Sequence, residues 1–367
     1  MSNSTLSELS IELTNQCGLA CIHCSSGSSP KRAKGELEFN DHKRLLRDAA
    51  TLGATTLSLS GGNPLLYPML VQLVELAVDQ YGYKKILIYT TGHNANGANV
   101  WMYSGVHALM KIPQVTWVAS LHSDNSWIND AIMNTPGALK DIKKSLRWLL
   151  EKGQETEIHM VPMKPNYKQI PTVRDLCAVL GVKKMSLLRF VPQTRGKAHK
   201  DALDMGRQEF LDMQLIIKDE LLREHTVQLR LGCPIDFRHA IGELPAKAKQ
   251  CHAGDDLMLV RPTGAVHPCA AWKSLPADSN VKTSSLAEIW QTSPVFQAIR
   301  QFKAGDYKLV GGCVGCDFLD SCKAGCPAQR LHALSSTSMD DLTMSISDPL
   351  CPRGDGHVFI DLDHKKA

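Results

Sequence analysis

Three cysteines within eight residues, Cys17-Gly18-Leu19-Ala20-Cys21-Ile22-His23-Cys24, can turn their sulfurs onto one point. A structural zinc ion closes its tetrahedron with four protein ligands, and no fourth cysteine lies nearby in the sequence. A four-iron cluster takes one thiolate per iron, so three thiolates leave one iron open to an outside ligand. A second set begins beyond residue 230. Cys251 is followed after twelve residues by Gly264 and after four more by Cys269. Then come Cys313-x2-Cys316-x5-Cys322-x3-Cys326 and, after twenty-four residues, Cys351. Cys313-x2-Cys316 alone could be half a zinc ribbon. Short spacings punctuated by Gly311, Gly312, Gly315 and Gly325 suit sulfur ligation in tight turns. Two cysteines remain. Cys177 shares a helical face with Leu176 and Leu180 and reads as a buried apolar residue. Cys233 reads either as a further ligand or as a core cysteine.

Strands and helices alternate ahead of this second set. Leu9–Thr14 alternates as a strand that delivers the first triplet into a loop. Further strands are expected at Thr55–Leu59, Lys85–Tyr89, Val115–Leu121, Glu157–Pro162 and Lys184–Phe190. Helical periodicity covers Asp41–Leu52, Met69–Tyr81, Leu139–Lys152 and Val173–Leu180. Six βα units imply a parallel sheet whose strand carboxyl ends carry the chemistry. A polar stretch, Thr194–Asp204, and a helix near Gln208–Arg223 bridge to the cysteine-rich third. The expected division is residues 1–205, a bridging helical region 206–232, and 233–367.

Cys-x3-Cys-x2-Cys after a first strand resembles the signature of the radical S-adenosylmethionine superfamily. That resemblance implies an α/β fold with a partial (β/α)6, TIM-like barrel. It also implies S-adenosylmethionine chelated at the open iron by its amino and carboxylate groups, and reductive cleavage to a 5′-deoxyadenosyl radical. Ser60-Gly61-Gly62-Asn63-Pro64 resembles the family's Gly-Gly-Glu-Pro, which holds the methionine amine, with Asn63 in place of the glutamate. An asparagine can still accept from an ammonium but brings no charge; alone, the stretch also fits an ordinary βα turn. Thr90-Thr91-Gly92-His93-Asn94 sits where relatives carry a turn near the cofactor, and Met133–Leu139 resembles the family's helix-starting loop. Ser120-Leu121-His122 resembles a Ser-Leu-Asp whose serine approaches the ribose or carboxylate of S-adenosylmethionine. His122 there is either an acid or base beside the radical or a histidine bonded to backbone. His23 fills an aromatic position expected to pack against adenine, and Arg189 and Arg195 are either holders of a carboxylate or surface charges.

The later cysteines resemble the SPASM extension, whose family pattern binds two auxiliary 4Fe–4S clusters. By that resemblance Cys313, Cys316, Cys322 and Cys351 hold the distal cluster, and Cys251, Cys269 and Cys326 the proximal one, with Cys233 its fourth ligand. Three 4Fe–4S clusters are thus expected. SPASM relatives most often modify peptides, so the resemblance implies maturation of a ribosomally made peptide by cross-linking or oxidation. The triplet starts at Cys17, which leads to the expectation that a separate protein, or another surface, binds the leader peptide. Sulfatase maturation is disfavoured, because Ala270 and Ala271 stand where those relatives carry an acidic base. The alternative is an enzyme acting on a sugar, nucleoside or amino acid. A bare electron-transfer module is a third, non-enzymatic reading.

The totals agree with a globular enzyme. In 367 residues, 43% are hydrophobic and 21% charged, enough for a substantial core. A formal charge of +4 with no basic block argues against nucleic acid. No secretory signal or membrane-length apolar run is present, so twelve cysteines point to metal in a reducing, cytoplasmic setting. A flavodoxin or ferredoxin is the expected reductant.

Overall fold

The computed structural model describes residues 4–92, 105–232, 235–238, 251–275, 277–305, 308–309, 313–322, 324–334, 344–345 and 348–351. Nine strands form one sheet: β1 (Glu8–Thr14), β2 (Thr56–Gly61), β3 (Lys85–Thr90), β4 (Val115–Ser120), β5 (Thr156–Met160), β6 (Lys184–Leu187), β7 (Gln228–Leu231), β8 (Leu257–Val260) and β9 (Val266–His267). Their spatial order is β7-β6-β5-β4-β3-β2-β1-β8-β9. Pairing is parallel throughout, except that β8 and β9 form an antiparallel hairpin. The six expected strands are present and in sequential order, as a partial barrel requires. The sheet is also extended at each side: β7 lies beyond β6, and β8 and β9, from the cysteine-rich third, lie beyond β1.

Alternation within these strands separates two faces. Leu9, Ile11, Leu13, Leu57, Leu59, Ile86, Ile88, Val115 and Trp117 are buried in one apolar cluster. The same cluster takes in Leu45, Leu46 and Ala49 from the helix Phe39–Thr51. Farther along, Ile158, Met160, Met185 and Leu187 pack with Leu139, Ile142 and Leu146 of the helix Ala138–Glu151. The other face carries Ser10, Glu12, Ser58, Ser60, Tyr89, Ser120, Glu157, His159, Ser186 and Arg230. Ser120, His159, Ser186 and Arg230 stand in one register row. Helices therefore cover the apolar face, and the polar face is left for chemistry.

Local signals explain the element ends. Glu38 and Asp41 form a capping box at the start of Phe39–Thr51, and Gly181 in the left-handed conformation ends Ile170–Leu180. The expected helix Met69–Tyr81 is α-helical at Leu70–Glu75 and widens into a π-turn at Leu76–Gln80. The segment after β4 holds a further helix, Ser126–Met133, capped by the Asn125 side chain on the Trp127 amide. The polar stretch Thr194–Asp204 contains two single helical turns, Arg195–Ala198 and Lys200–Leu203. Among the described residues no helix is long and apolar enough to cross a membrane.

Candidate functional site

The triplet loop leaves the carboxyl end of β1 and is gripped from several sides. Beneath it runs the glycine turn after β2. Gly62 N donates to Thr14 O and Asn63 N to Gln16 O, both at 2.7 Å. This approach leaves no room for a side chain, since a Cβ on Gly62 would stand 2.0 Å from Gln16 O. Gly61 (φ +119°) would place one 2.5 Å from Thr14 O. The Asn63 side chain is buried and its amide oxygen accepts from Leu65 N at 3.2 Å, so it also caps the turn that follows. Cys17 N donates to Ser29 O at 2.7 Å, and Ser29 N returns a bond to Asn15 O, which closes the loop on itself.

A segment after β6 closes over the loop. Thr194 Oγ1 donates to Cys24 O at 2.6 Å, and Arg195 donates to Cys21 O at 3.1 Å and Ser28 O at 2.5 Å. Arg195 thus braces main chain rather than reaching for a ligand carboxylate. Arg189 is likewise engaged, with Asp348.

The three sulfurs are free thiols within electrostatic reach of one another. Burial pushes Cys17 and Cys21 above the usual thiol range, and the neighbouring thiols push in the same direction. Cys17 and Cys21 hold their protons until a cation replaces them. Among the described residues the donor set consists of thiols alone, and no fourth cysteine perturbs it. It fits a group that carries several irons and needs three thiolates.

The later cysteines lie in two neighbourhoods. Cys269 and Cys326 are both raised chiefly by burial, Cys326 to about 11. Cys269 feels Cys251 and Cys326, and Cys326 feels Cys251. Cys322 is pushed up to about 12 by burial, with added repulsion from Asp348, Cys351 and Cys313. Cys316 joins this second group through a turn, its N–H donating to Cys313 O at 3.3 Å. Among the described residues no three donors already surround a single ion-sized point. A cluster spreads its thiolates over separate irons, so the looser grouping suffices. Cys233, His93 and Asn94, together with Gly311 and Gly312, lie outside the described residues. Cys177 is fully buried in the apolar core, as its spacing suggested.

Ser120 ends β4 on the polar face, and His122 follows. His122 is 1% exposed. Its main chain is held by Asn129 Oδ1 at 3.1 Å and Asn166 Nδ2 at 2.9 Å, and its Nδ1 accepts from Val161 N at 3.4 Å. That acceptor role places the proton on Nε2, which is buried with no partner among the described residues. The ring meets His23 edge-on at 4.4 Å between centroids. Burial lowers His23 to about 4 and takes His122 well below the ordinary imidazole value. Both are neutral at pH 7. His122 is therefore backbone-bonded, and its ring lies against His23 of the triplet loop.

One cluster escaped the sequence reading. Glu12 of β1, 1% exposed, pairs with Arg261 Nε at 2.7 Å and Lys273 Nζ at 2.5 Å. Ser26, just past Cys24, donates to the same carboxylate at 2.6 Å, and Lys273 donates to Ser26 Oγ at 2.9 Å. This knot ties the triplet loop to the β8–β9 hairpin and to the residues after Cys269. A sequence signal did exist: Glu12 shares its strand phase with Ser10 and Thr14, the polar phase that faces the site in a sheet covered by helices on its other side.

Comparison with known proteins agrees with this geometry. Residues 11–177 match the Radical SAM superfamily, and residues 251–317 match SPASM, an iron–sulfur cluster-binding domain. A PqqA peptide cyclase from Methylobacterium nodulans is 27% identical over 92% of this chain and 85% of its own. An AdoMet-dependent heme synthase from Methanosarcina barkeri is 24% identical over 92% of this chain and 95% of its own. Crystal structures of SuiB from Streptococcus suis share the fold. With S-adenosylmethionine bound, the TM-score is 0.73 at 21% identity over 95% of this chain and 77% of SuiB. With the precursor peptide SuiA bound, it is 0.71 at 22% identity over 92% and 74%. With its cysteine triplet at the end of β1 and Cys251, Cys269, Cys313 and Cys316 of the second set inside the matched SPASM region, this chain carries a Radical SAM domain over residues 11–177 and a SPASM iron–sulfur cluster-binding domain over residues 251–317.

Proposed function

We propose that this protein cleaves S-adenosylmethionine reductively and uses the resulting radical to abstract hydrogen from a ribosomally made peptide, which it cross-links or oxidises. The observation that carries the reading is the triplet loop: three mutually close thiols laced to the Gly61–Gly62 turn, with no fourth cysteine beside them among the described residues. A four-iron cluster and S-adenosylmethionine bound there supply one-electron cleavage of a sulfonium and a 5′-deoxyadenosyl radical. The chain's own residues do the rest. Cys17, Cys21 and Cys24 each hold one iron. Gly61, Gly62, Asn63, His23 and Ser120 line the place of S-adenosylmethionine. His122, held neutral by burial, offers its Nε2–H to a ligand, or moves a proton as the low-basicity acid or base beside the radical. The peptide cyclase relative and the precursor-bound SuiB support a peptide as substrate.

Three clusters are proposed in all. The second group of thiols would hold two auxiliary 4Fe–4S clusters, with Cys251, Cys269, Cys326 and Cys233 on one and Cys313, Cys316, Cys322 and Cys351 on the other. The division of the chain at residues 205 and 232 belongs to the same reading. So do a cytoplasmic location, a flavodoxin or ferredoxin as reductant, and a separate leader-binding protein.

The test uses anaerobically reconstituted protein. Iron and sulfide are counted, and 5′-deoxyadenosine is measured after adding S-adenosylmethionine and dithionite. Short peptides encoded beside the gene are then searched for loss of hydrogen by mass spectrometry. About twelve irons, 5′-deoxyadenosine and a peptide lighter by hydrogens would support the reading. Iron without cleavage would leave only an electron-transfer module. Cleavage with every peptide unchanged would favour the second reading, a small-molecule substrate, which the relative named for heme synthesis keeps open.

A further inference from the structure

Just past the end of β6, Arg189 turns into the protein and forks a carboxylate 159 residues away. Its Nη1 and Nη2 donate to Asp348 Oδ2 and Oδ1, both at 2.7 Å. The two side chains are 5% and 1% exposed. Each oxygen of Asp348 also accepts one main-chain N–H. Cys326 N donates to Oδ2 at 2.8 Å and Leu350 N to Oδ1 at 3.0 Å. Cys351 N then donates to the Asp348 carbonyl at 2.7 Å. The chain is shaped to bring Cys326 here. Ala324 and Gly325 take φ of +58° and +76°, and a Cβ on Gly325 would lie 2.4 Å from Asp348 Cβ. A left-handed backbone with the carboxylate pressed against it suits glycine alone.

A buried ion pair is poor evidence of stabilisation in itself, because apolar replacements often serve as well. What an apolar pair could not do is accept two N–H bonds beside two cysteines. Cys326 belongs to the group with Cys251 and Cys269, whereas Cys351 belongs with Cys313 and Cys322. Asp348 holds one member of each. We infer that Asp348, oriented by Arg189, is a positioning residue that fixes the crossover between the two auxiliary-cluster groups. It sends Cys326 to one and Cys351 to the other, and anchors both to the sheet that carries the triplet. The inference rests on the auxiliary-cluster reading proposed above.

The test uses full-length protein in a Cys17/Cys21/Cys24→Ala background, so that only auxiliary iron is seen. Asp348→Asn keeps an acceptor oxygen and loses the charge. It should lose about four irons per chain, or else keep them with an altered paramagnetic spectrum and a potential shifted positive. The shift follows because the Arg189 charge is left uncompensated beside Cys326. Arg174→Lys weakens another buried pair, with Glu220, that touches no cysteine; it should leave the auxiliary spectrum and potential unchanged. Wild-type iron, spectrum and potential in Asp348→Asn would overturn the inference, and so would the same changes in Arg174→Lys. Should Asp348→Asn fail to fold, Arg189→Lys decides: a changed spectrum supports the inference and an unchanged one sinks it. Absence of all iron from the triple-alanine parent would instead defeat the auxiliary-cluster reading itself.

Discussion

Gly62→Ala tests how tightly the radical loop depends on the turn beneath it. The added Cβ would lie 2.0 Å from Gln16 O, 2.4 Å from Gln16 C and 2.9 Å from Asn15 C. All three are backbone atoms, so no side chain can swing aside. Ordinary contact begins at 3.4 Å, so the two strands of chain must part by more than an ångström. That separation stretches both 2.7 Å bonds, Gly62 N to Thr14 O and Asn63 N to Gln16 O, at about 1 kcal/mol each. It also displaces the residue that immediately precedes Cys17. Misplacing reacting groups by ~1 Å costs roughly 100-fold in rate. Anaerobic formation of 5′-deoxyadenosine should therefore fall about 100-fold in Gly62→Ala, with auxiliary iron retained. Gly137→Ala is the control: its φ of +82° strains an alanine, but nothing lies within 4 Å. It should cost stability and leave cleavage nearly intact. Wild-type cleavage by Gly62→Ala would refute the reasoning.

Replacing Cys17, Cys21 and Cys24 together with alanine should abolish 5′-deoxyadenosine formation while iron remains on the later cysteines; cleavage by that variant would remove the triplet from the chemistry. Glu12→Gln strands two largely buried cations, Arg261 and Lys273, and should lower unfolding free energy by about 3–5 kcal/mol in a denaturant melt. The carboxyl of Glu12 sits below its ordinary 4.5: burial would raise it, but Lys273 and Arg261 outweigh burial. Its contribution is therefore complete above pH 4.5 and is lost as pH falls through the lower folded value. Glu12→Gln should show a flatter acid limb than wild type. His42 and His159 are both lowered by burial from 6.5 to about 4. The unfolded chain thus takes up protons that the folded one refuses, and stability should decline from pH 6.5 toward 4. A His42→Phe variant with an unchanged slope there would contradict that assignment.

The six strands of the barrel were legible because each is a compact apolar or alternating run between turn signals, as in Lys85–Thr90. β7 and β8 escaped, being four residues each and placed in the sheet by β6 and β1, partners far away in the chain. The triplet and the later cysteines stand out in the sequence by their short spacings, which suit sulfur ligation in local turns. The knot at Glu12 and the clasp at Asp348 could not be read in the same way. Arg261, Lys273 and Asp348 look like surface charges until the fold buries them. Arg189 and Arg195 read either as holders of a ligand carboxylate or as surface charges, and the fold engages one with Asp348 and the other with main-chain carbonyls of the triplet loop. Periodicity reports burial of apolar residues; it is silent on which charge meets which.

The pairing of β1 with β8 has a consequence for how the chain is made. Ser7 and Asp256, 249 residues apart, are hydrogen-bonded where the two strands meet. At ~5–20 residues per second, a ribosome needs about 10–50 s to travel that distance. For that interval β1, with its cysteine triplet, is an unpaired edge of a growing sheet. Open edges of this kind recruit other strands and aggregate. Iron delivered during synthesis would meet thiols not yet locked by Lys273 or Arg261. Truncation ahead of Leu257 would make that exposed edge permanent, so the first two hundred residues should not survive as a soluble fragment. The last third of the protein is then, before anything else, the lid on the first strand.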